Sequence, residues 1–252
     1  MIKVNEFFTA ELGSDYVAKF IANKINEFQP NETKPFVLGL PTGSSPEGVY
    51  RKLIELNNLK KVSFQHVVTF NMDEYCGLSP SDEQSYHHFM HTKFFDHVDI
   101  KPENIHILNG LSKNRAEECA NYEKMIAKYG PFQIFMGGIG KEGHIAFNES
   151  GSSRNSKTRE IQLAQSTIEA NSRFFNNDIS KVPKSALTVG ISTILDNSKE
   201  VIILAFGTSK ADVVSKTIND NIDSKTPSTF LREHPNVTLV VDKSSALLLH
   251  KK

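Results

Sequence analysis

Short apolar runs that end at glycine, proline or an acid alternate along the chain with longer segments of helical period. That alternation is the signature of a sheet wound with helices. Runs at 35–40 (PFVLGL), 66–72, 104–108, 131–137, 185–190, 200–206 and 236–241 read as strands. Several are apolar at successive positions, so both faces must be covered, and the strands are expected to be parallel. Between them, 14–28 carries Val17, Ile21, Ile25 and Phe28 on one stripe, with Ser14 as N-cap. Segment 46–58 opens with Ser45 as cap and Pro46 at the first helical position, and 114–130 and 209–220 supply further helices. The expected fold is α/β: a single-domain, mostly parallel open sheet with helices on both faces, Rossmann-like and doubly wound, spanning 1–252.

Ligands of such sheets collect outside the carboxyl ends of the strands, and four of these ends carry candidate chemistry. At LPTGSSPEG (40–48), Thr42, Gly43, Ser44 and Ser45 lead from a strand into a helix. Backbone N–H groups, hydroxyls and the helix dipole there make a seat for an anion, although a capped turn has the same letters. No lysine follows the glycine at Walker spacing. At TFNMDEYCGL (69–78), Asp73 and Glu74 follow directly on a strand, and Asp73 is placed as a general base, a metal ligand or the cap of a turn.

The third end, GGIGKEGHIAFNES (137–150), matches the dinucleotide fingerprint in letters. The glycines lie mid-chain, however, and run into a polar loop instead of a long amphipathic helix, which argues against a dinucleotide. What remains is His144 between the acids Glu142 and Glu149, an imidazole suited to proton transfer near neutral pH. The fourth end supplies Arg173 and Lys210, a bidentate and a point-charge partner for phosphate. His87 and His91, in SYHHFMH, have the i, i+4 spacing of a zinc pair, but neither an intervening glutamate of HExxH type nor a third ligand accompanies them, and no metal is expected.

Lysine plus arginine balances aspartate plus glutamate at 29 each, which removes the basic surplus that nucleic acid or an anionic membrane surface would require. A small-molecule substrate is the remaining class. Cys76 and Cys119 have no paired spacing, and no window approaches the roughly 18 apolar residues of a membrane span. A cytoplasmic protein is expected.

Taken in order, LGLPTGSSPEG, VVTFNMDEY, GGIG–EGHIAFNE, ANSRFF and ALTVGISTILD resemble the glucosamine-6-phosphate deaminase family, in the pattern of its fungal members. The resemblance implies conversion of glucosamine 6-phosphate and water to fructose 6-phosphate and ammonia, with no cofactor. It implies His144 as the acid–base that opens the sugar ring, with Glu142 and Glu149 as its relay, and Asp73 as the base at C2. Thr42, Gly43, Ser44, Ser45, Arg173 and Lys210 would hold the phosphate. The related 6-phosphogluconolactonases share a glycine–histidine loop, and a non-catalytic sugar-phosphate sensor is a second alternative; FNMDEY favours the deaminase. Three departures stand out. Glu142 replaces the usual aspartate, Ile161 stands where the allosteric site of longer members has lysine, and the chain ends at Lys252, short of their tail. No allosteric activation is therefore expected, while hexamer, dimer and monomer all stay open.

Overall fold

The computed structural model describes residues 2–249. Seven strands form the main sheet: β1 (Lys3–Phe7), β2 (Phe36–Leu40), β3 (Val67–Asn71), β5 (Ile105–His106), β6 (Ile134–Gly138), β9 (Val201–Ala205) and β10 (Val237–Asp242), in the order β1-β10-β9-β6-β2-β3-β5. Every pairing in it is parallel. A smaller antiparallel sheet, β4-β8-β7, joins β4 (Asp73–Tyr75), β8 (Ser185–Thr188) and β7 (Arg159–Gln162).

Alternate strand residues feed two cores, as the two-residue period of a strand requires. Phe36, Leu38, Leu40, Ile134, Met136, Ile202 and Leu204 pack beneath α1 (Ala10–Phe28), α2 (Glu47–Asn58) and α3 (Tyr86–Lys93). Val37, Val68, Phe70, Phe135, Val201, Ile203 and Leu239 face the other side, toward α4 (Arg115–Tyr129), α6 (Ile191–Asp196) and α7 (Ala211–Asn219). The run-on apolar strands are thus covered on both faces, as doubly wound sheets demand. A short helix, α5 (Gln165–Asn171), lies between β7 and β8.

Four local expectations are corrected. Helix α1 begins four residues early, because the Thr9 side chain caps Leu12 N–H; Ser14 lies inside the helix and its hydroxyl bonds the Ala10 carbonyl at 2.8 Å. No side chain caps α2, where Pro46 occupies the capping position instead of the first turn, so Ser45 is not an N-cap. The 185–190 run is a strand only to Thr188, and it pairs antiparallel in the small sheet. Strands β1, β4 and β7 were not expected at all: β4 is three residues long, and β1 and β7 mix exposed with half-buried positions instead of reading as apolar runs.

Strand order reverses between β2 and β6. From β2 the chain moves outward to β3 and β5, then returns to β6 on the other flank and proceeds to β9 and β10. Gly39 of β2 allows these two strands to meet closely, since an added Cβ would lie 2.2 Å from the ring of its register partner Phe135. Gly39→Ala should therefore lower unfolding free energy by about 1–3 kcal/mol through overpacking. Urea denaturation checks this, and an unchanged midpoint would contradict the close approach.

Candidate active site

The crevice at the reversal is a cleft of about 320 Å³. Of the ten residues singled out from sequence, nine line it: Thr42, Gly43, Ser44, Ser45, Asp73, Glu142, His144, Arg173 and Lys210. Glu149 does not.

One end is cationic and carries hydroxyls. After β2 the chain turns at Gly43, whose φ of +95° lies in the left-handed region, and climbs into α2. The turn is pinned from below by Tyr50, fully buried on α2, whose hydroxyl donates to the Pro41 carbonyl. Lys210 reaches across from the start of α7, and its Nζ donates to the Ile139 carbonyl at 2.6 Å. A lysine at the positive end of a helix dipole has the wrong sign for stability unless an anion is to share the place. Burial first, then the charges of Lys141 and Arg173, lower the Lys210 pKa. Arg173 lies over the Phe174 ring, 4.6 Å from its centroid.

The other end holds a carboxylate and an imidazole. Met72 is the residue at which the chain passes from one sheet to the other. Its N–H bonds the Leu40 carbonyl at 3.2 Å, while its own carbonyl accepts Val189 N–H at 2.8 Å. Asp73, opening β4 opposite Thr188, is thereby fixed by both sheets. It is only 5% exposed, and its carboxylate has no hydrogen-bond partner among the described residues. Burial, helped by the charge of Glu74, raises its pKa well above the usual carboxylate value. The neighbouring acid has a different task. Glu74 accepts the N–H groups of Tyr75, Tyr86 and His87 at 2.8–2.9 Å and so anchors the start of α3.

His144 lies directly against Gly140, where an added Cβ would fall 2.0 Å from the ring. That glycine is a seat for the imidazole, which accounts for the fingerprint-like spacing without a dinucleotide. The loop closes by Gly143 N–H to the Gly140 carbonyl and is tied down by Ser228 N–H to the Gly143 carbonyl. Burial, then the Lys210 charge, pushes the His144 pKa down to about 4, against the opposing pull of Glu142. The ring is neutral at pH 7 and can accept a proton.

Glu149 is used elsewhere. Its carboxylate accepts Ala164 N–H at 2.9 Å and the Thr167 hydroxyl, holding the start of α5. No hydrogen bond joins it to His144, so the geometry assigns it to the segment that carries Thr167, Asn171 and Arg173 into the cleft. Sequence reading missed four lining or supporting residues. Tyr86, Asn171 and Lys141 line the cleft, Asn171 donating to the Tyr75 hydroxyl at 2.8 Å, while Tyr50 supports the turn from beneath. Only Lys141 carried a signal, lying next to Glu142. The His87 and His91 rings stack at 4.5 Å, and His91 bonds Asp96 at 2.7 Å. Among the described residues no cluster of three or more histidine, cysteine, aspartate and glutamate side chains could hold a metal ion.

A doubly wound sheet whose switch-point cleft joins a cationic, hydroxyl-bearing end to a carboxylate–imidazole end defines the class of α/β proteins that take a small anionic ligand at their strand ends. The particular family follows from the sequence: residues 9–240 match the glucosamine-6-phosphate isomerases/6-phosphogluconolactonase family, and the chain belongs to it. It is 60% identical over 239 residues to the glucosamine-6-phosphate isomerase of Candida albicans, covering 94% of this chain and 95% of that protein. The glucosamine-6-phosphate deaminase of Borreliella burgdorferi is 53% identical over 232 residues, 92% of this chain and 86% of that one. A solved monomeric glucosamine-6-phosphate deaminase superposes with a TM-score of 0.93 at 42% identity, covering 98% and 100% of the two chains. The 6-phosphogluconolactonase of Trypanosoma brucei shares the fold, with a TM-score of 0.78 at 20% identity over 99% of each chain.

The depressed His144 pKa has a stability consequence. Because the unfolded ring protonates near 6.5 and the folded one near 4, the unfolded state gains protons first as pH falls through that window. The contribution is present above pH 6.5 and lost progressively toward 4. Wild type should therefore lose more stability than His144→Gln between pH 7 and 5 in denaturant titrations. Parallel losses would contradict the burial of a neutral imidazole.

Proposed function

We propose that this chain is a glucosamine-6-phosphate deaminase, a single domain spanning 1–252 that converts glucosamine 6-phosphate and water to fructose 6-phosphate and ammonia. The observation that carries the reading is the unpartnered Asp73 carboxylate on the wall of the cleft that also holds His144. High identity to proteins named as deaminase and isomerase supports it across nearly the whole chain.

The phosphate docks on Thr42, Gly43, Ser44 and Ser45 with Arg173 and Lys210, and fixes the sugar's register. His144 takes the proton of the C1 hydroxyl and returns it to the ring oxygen as the C1–O bond of the pyranose breaks. Glu142 is the carboxylate partner of the imidazole, and its charge favours the protonated form that appears during this transfer. Asp73 then removes the proton at C2 of the open-chain aldehyde, giving an enolamine. Delivery of the proton to C1 leaves an imine at C2, which adds water and releases ammonia. Lactone hydrolysis has no use for a base at C2, and the placement of Asp73 therefore favours deamination. No step calls on a metal or an organic cofactor. Glu149 serves by holding the start of α5, and hence Arg173, in place.

The same reading puts the protein in the cytoplasm, in line with two buried, unbridged cysteines. Among the described residues, no helix is long and apolar enough to cross a membrane.

Asp73→Asn removes the base while keeping the side chain's size, so kcat should fall by roughly 10²-fold or more with little change in KM. Steady-state release of ammonia measures this. Unchanged turnover would eliminate Asp73 as the C2 base.

A further inference from the structure

Some surface charges are paired, Asp15 with Lys19, Glu55 with Lys52, and both Asp196 and Glu233 with Arg154. The three cations gathered on the wall of one cleft are not. Lys141, Arg173 and Lys210 have no carboxylate within ion-pair distance among the described residues. In a chain whose acids and bases balance at 29 each, like charges gathered without partners repel one another. The charges of Lys141 and Arg173 are both felt at the Lys210 ammonium.

Lys141 is placed there by its turn. The Gly143 N–H to Gly140 carbonyl bond closes a tight turn with Lys141 and Glu142 at its tip, and Ser228 N–H fastens that turn through the Gly143 carbonyl. The lysine is exposed yet lines the cleft, so it stands at the lip, while Lys210 is drawn inward to the Ile139 carbonyl. Glu142, the exposed acid beside it, forms no ion pair with any of the three.

A phosphate monoester carries about −1.5 to −2 charges at neutral pH, so two cations suffice to neutralise it. A third leaves the mouth attractive to the incoming anion and adds to its hold once it is bound. We propose that Lys141 is a further substrate-binding residue of the phosphate end, a lip cation that recruits and retains the phosphate without joining the proton transfers. This rests on the sugar-phosphate reading above.

The test compares wild type with Lys141→Ala, Lys141→Glu and Lys141→Arg. For the alanine variant KM should rise roughly three- to ten-fold, the loss of one partly screened contact, with kcat within about two-fold of wild type. The glutamate variant should be worse, and arginine should restore the wild-type value. The fall of kcat/KM with added salt should become shallower in the alanine variant. Calorimetric titration with inorganic phosphate should show a parallel rise in Kd, a measurement independent of turnover. Failure to release ammonia from glucosamine 6-phosphate would sink the functional reading while leaving the phosphate titration to decide the role of Lys141. Unaltered KM and phosphate Kd in both the alanine and glutamate variants would overturn the proposal, as would a loss confined to kcat.

Discussion

The reversal of strand order between β2 and β6 is the constraint from which the site follows. Two neighbouring parallel strands whose connections leave in opposite directions cannot both be roofed by the same helix, so a crevice stays open at their carboxyl ends. Here the chain exits β2 toward α2 and exits β6 into the loop that carries His144. Gly39 and Gly140 serve that arrangement at two levels, the first letting the strands meet and the second letting the imidazole rest on backbone. The short β4–β8 pairing adds the remaining constraint by drawing Asp73 off the main sheet and against the cleft.

The cleft has two electrostatic halves with opposite requirements. At the cationic end, Lys141, Arg173 and Lys210 have no carboxylate partner among the described residues, so their field is available to an anion instead of being spent in ion pairs. At the other end, burial works against charge on both Asp73 and His144, raising the first pKa and lowering the second. Burial thus raises the proton affinity of the carboxylate and keeps the imidazole neutral at pH 7. The molecule accepts the cost of holding them because two sheets and a fastened loop fix their backbones.

Much of the architecture was legible because the strands are apolar on both faces and the helices carry clear stripes. The misassigned pieces have identifiable causes. Strand β8 looks like its neighbours in composition, and its direction is decided by the partner it finds, β4, which is too short to show a period. The start of α1 was set by a threonine cap upstream of the first apolar stripe residue. Nine of ten site residues reach one cleft, since strand ends followed by glycine, hydroxyl or acid are positions at which the fold itself gathers side chains. The partners of Glu149 were not legible because distance along the chain cannot tell which neighbour a carboxylate will bond; its oxygens accept from Ala164 and Thr167. Tyr50, Tyr86 and Asn171 were invisible for the same reason, as their roles depend on contacts between remote segments.

The central claim is that Asp73 and His144 act on one sugar within the switch-point cleft, moving a proton from C2 to C1. Its most direct test supplies the purified protein with glucosamine 6-phosphate deuterated at C2 and follows both products. Equimolar ammonia and fructose 6-phosphate, with part of the deuterium at C1, is the predicted result. Absence of ammonia, or a product in which the nitrogen is still attached to C2, would contradict the account.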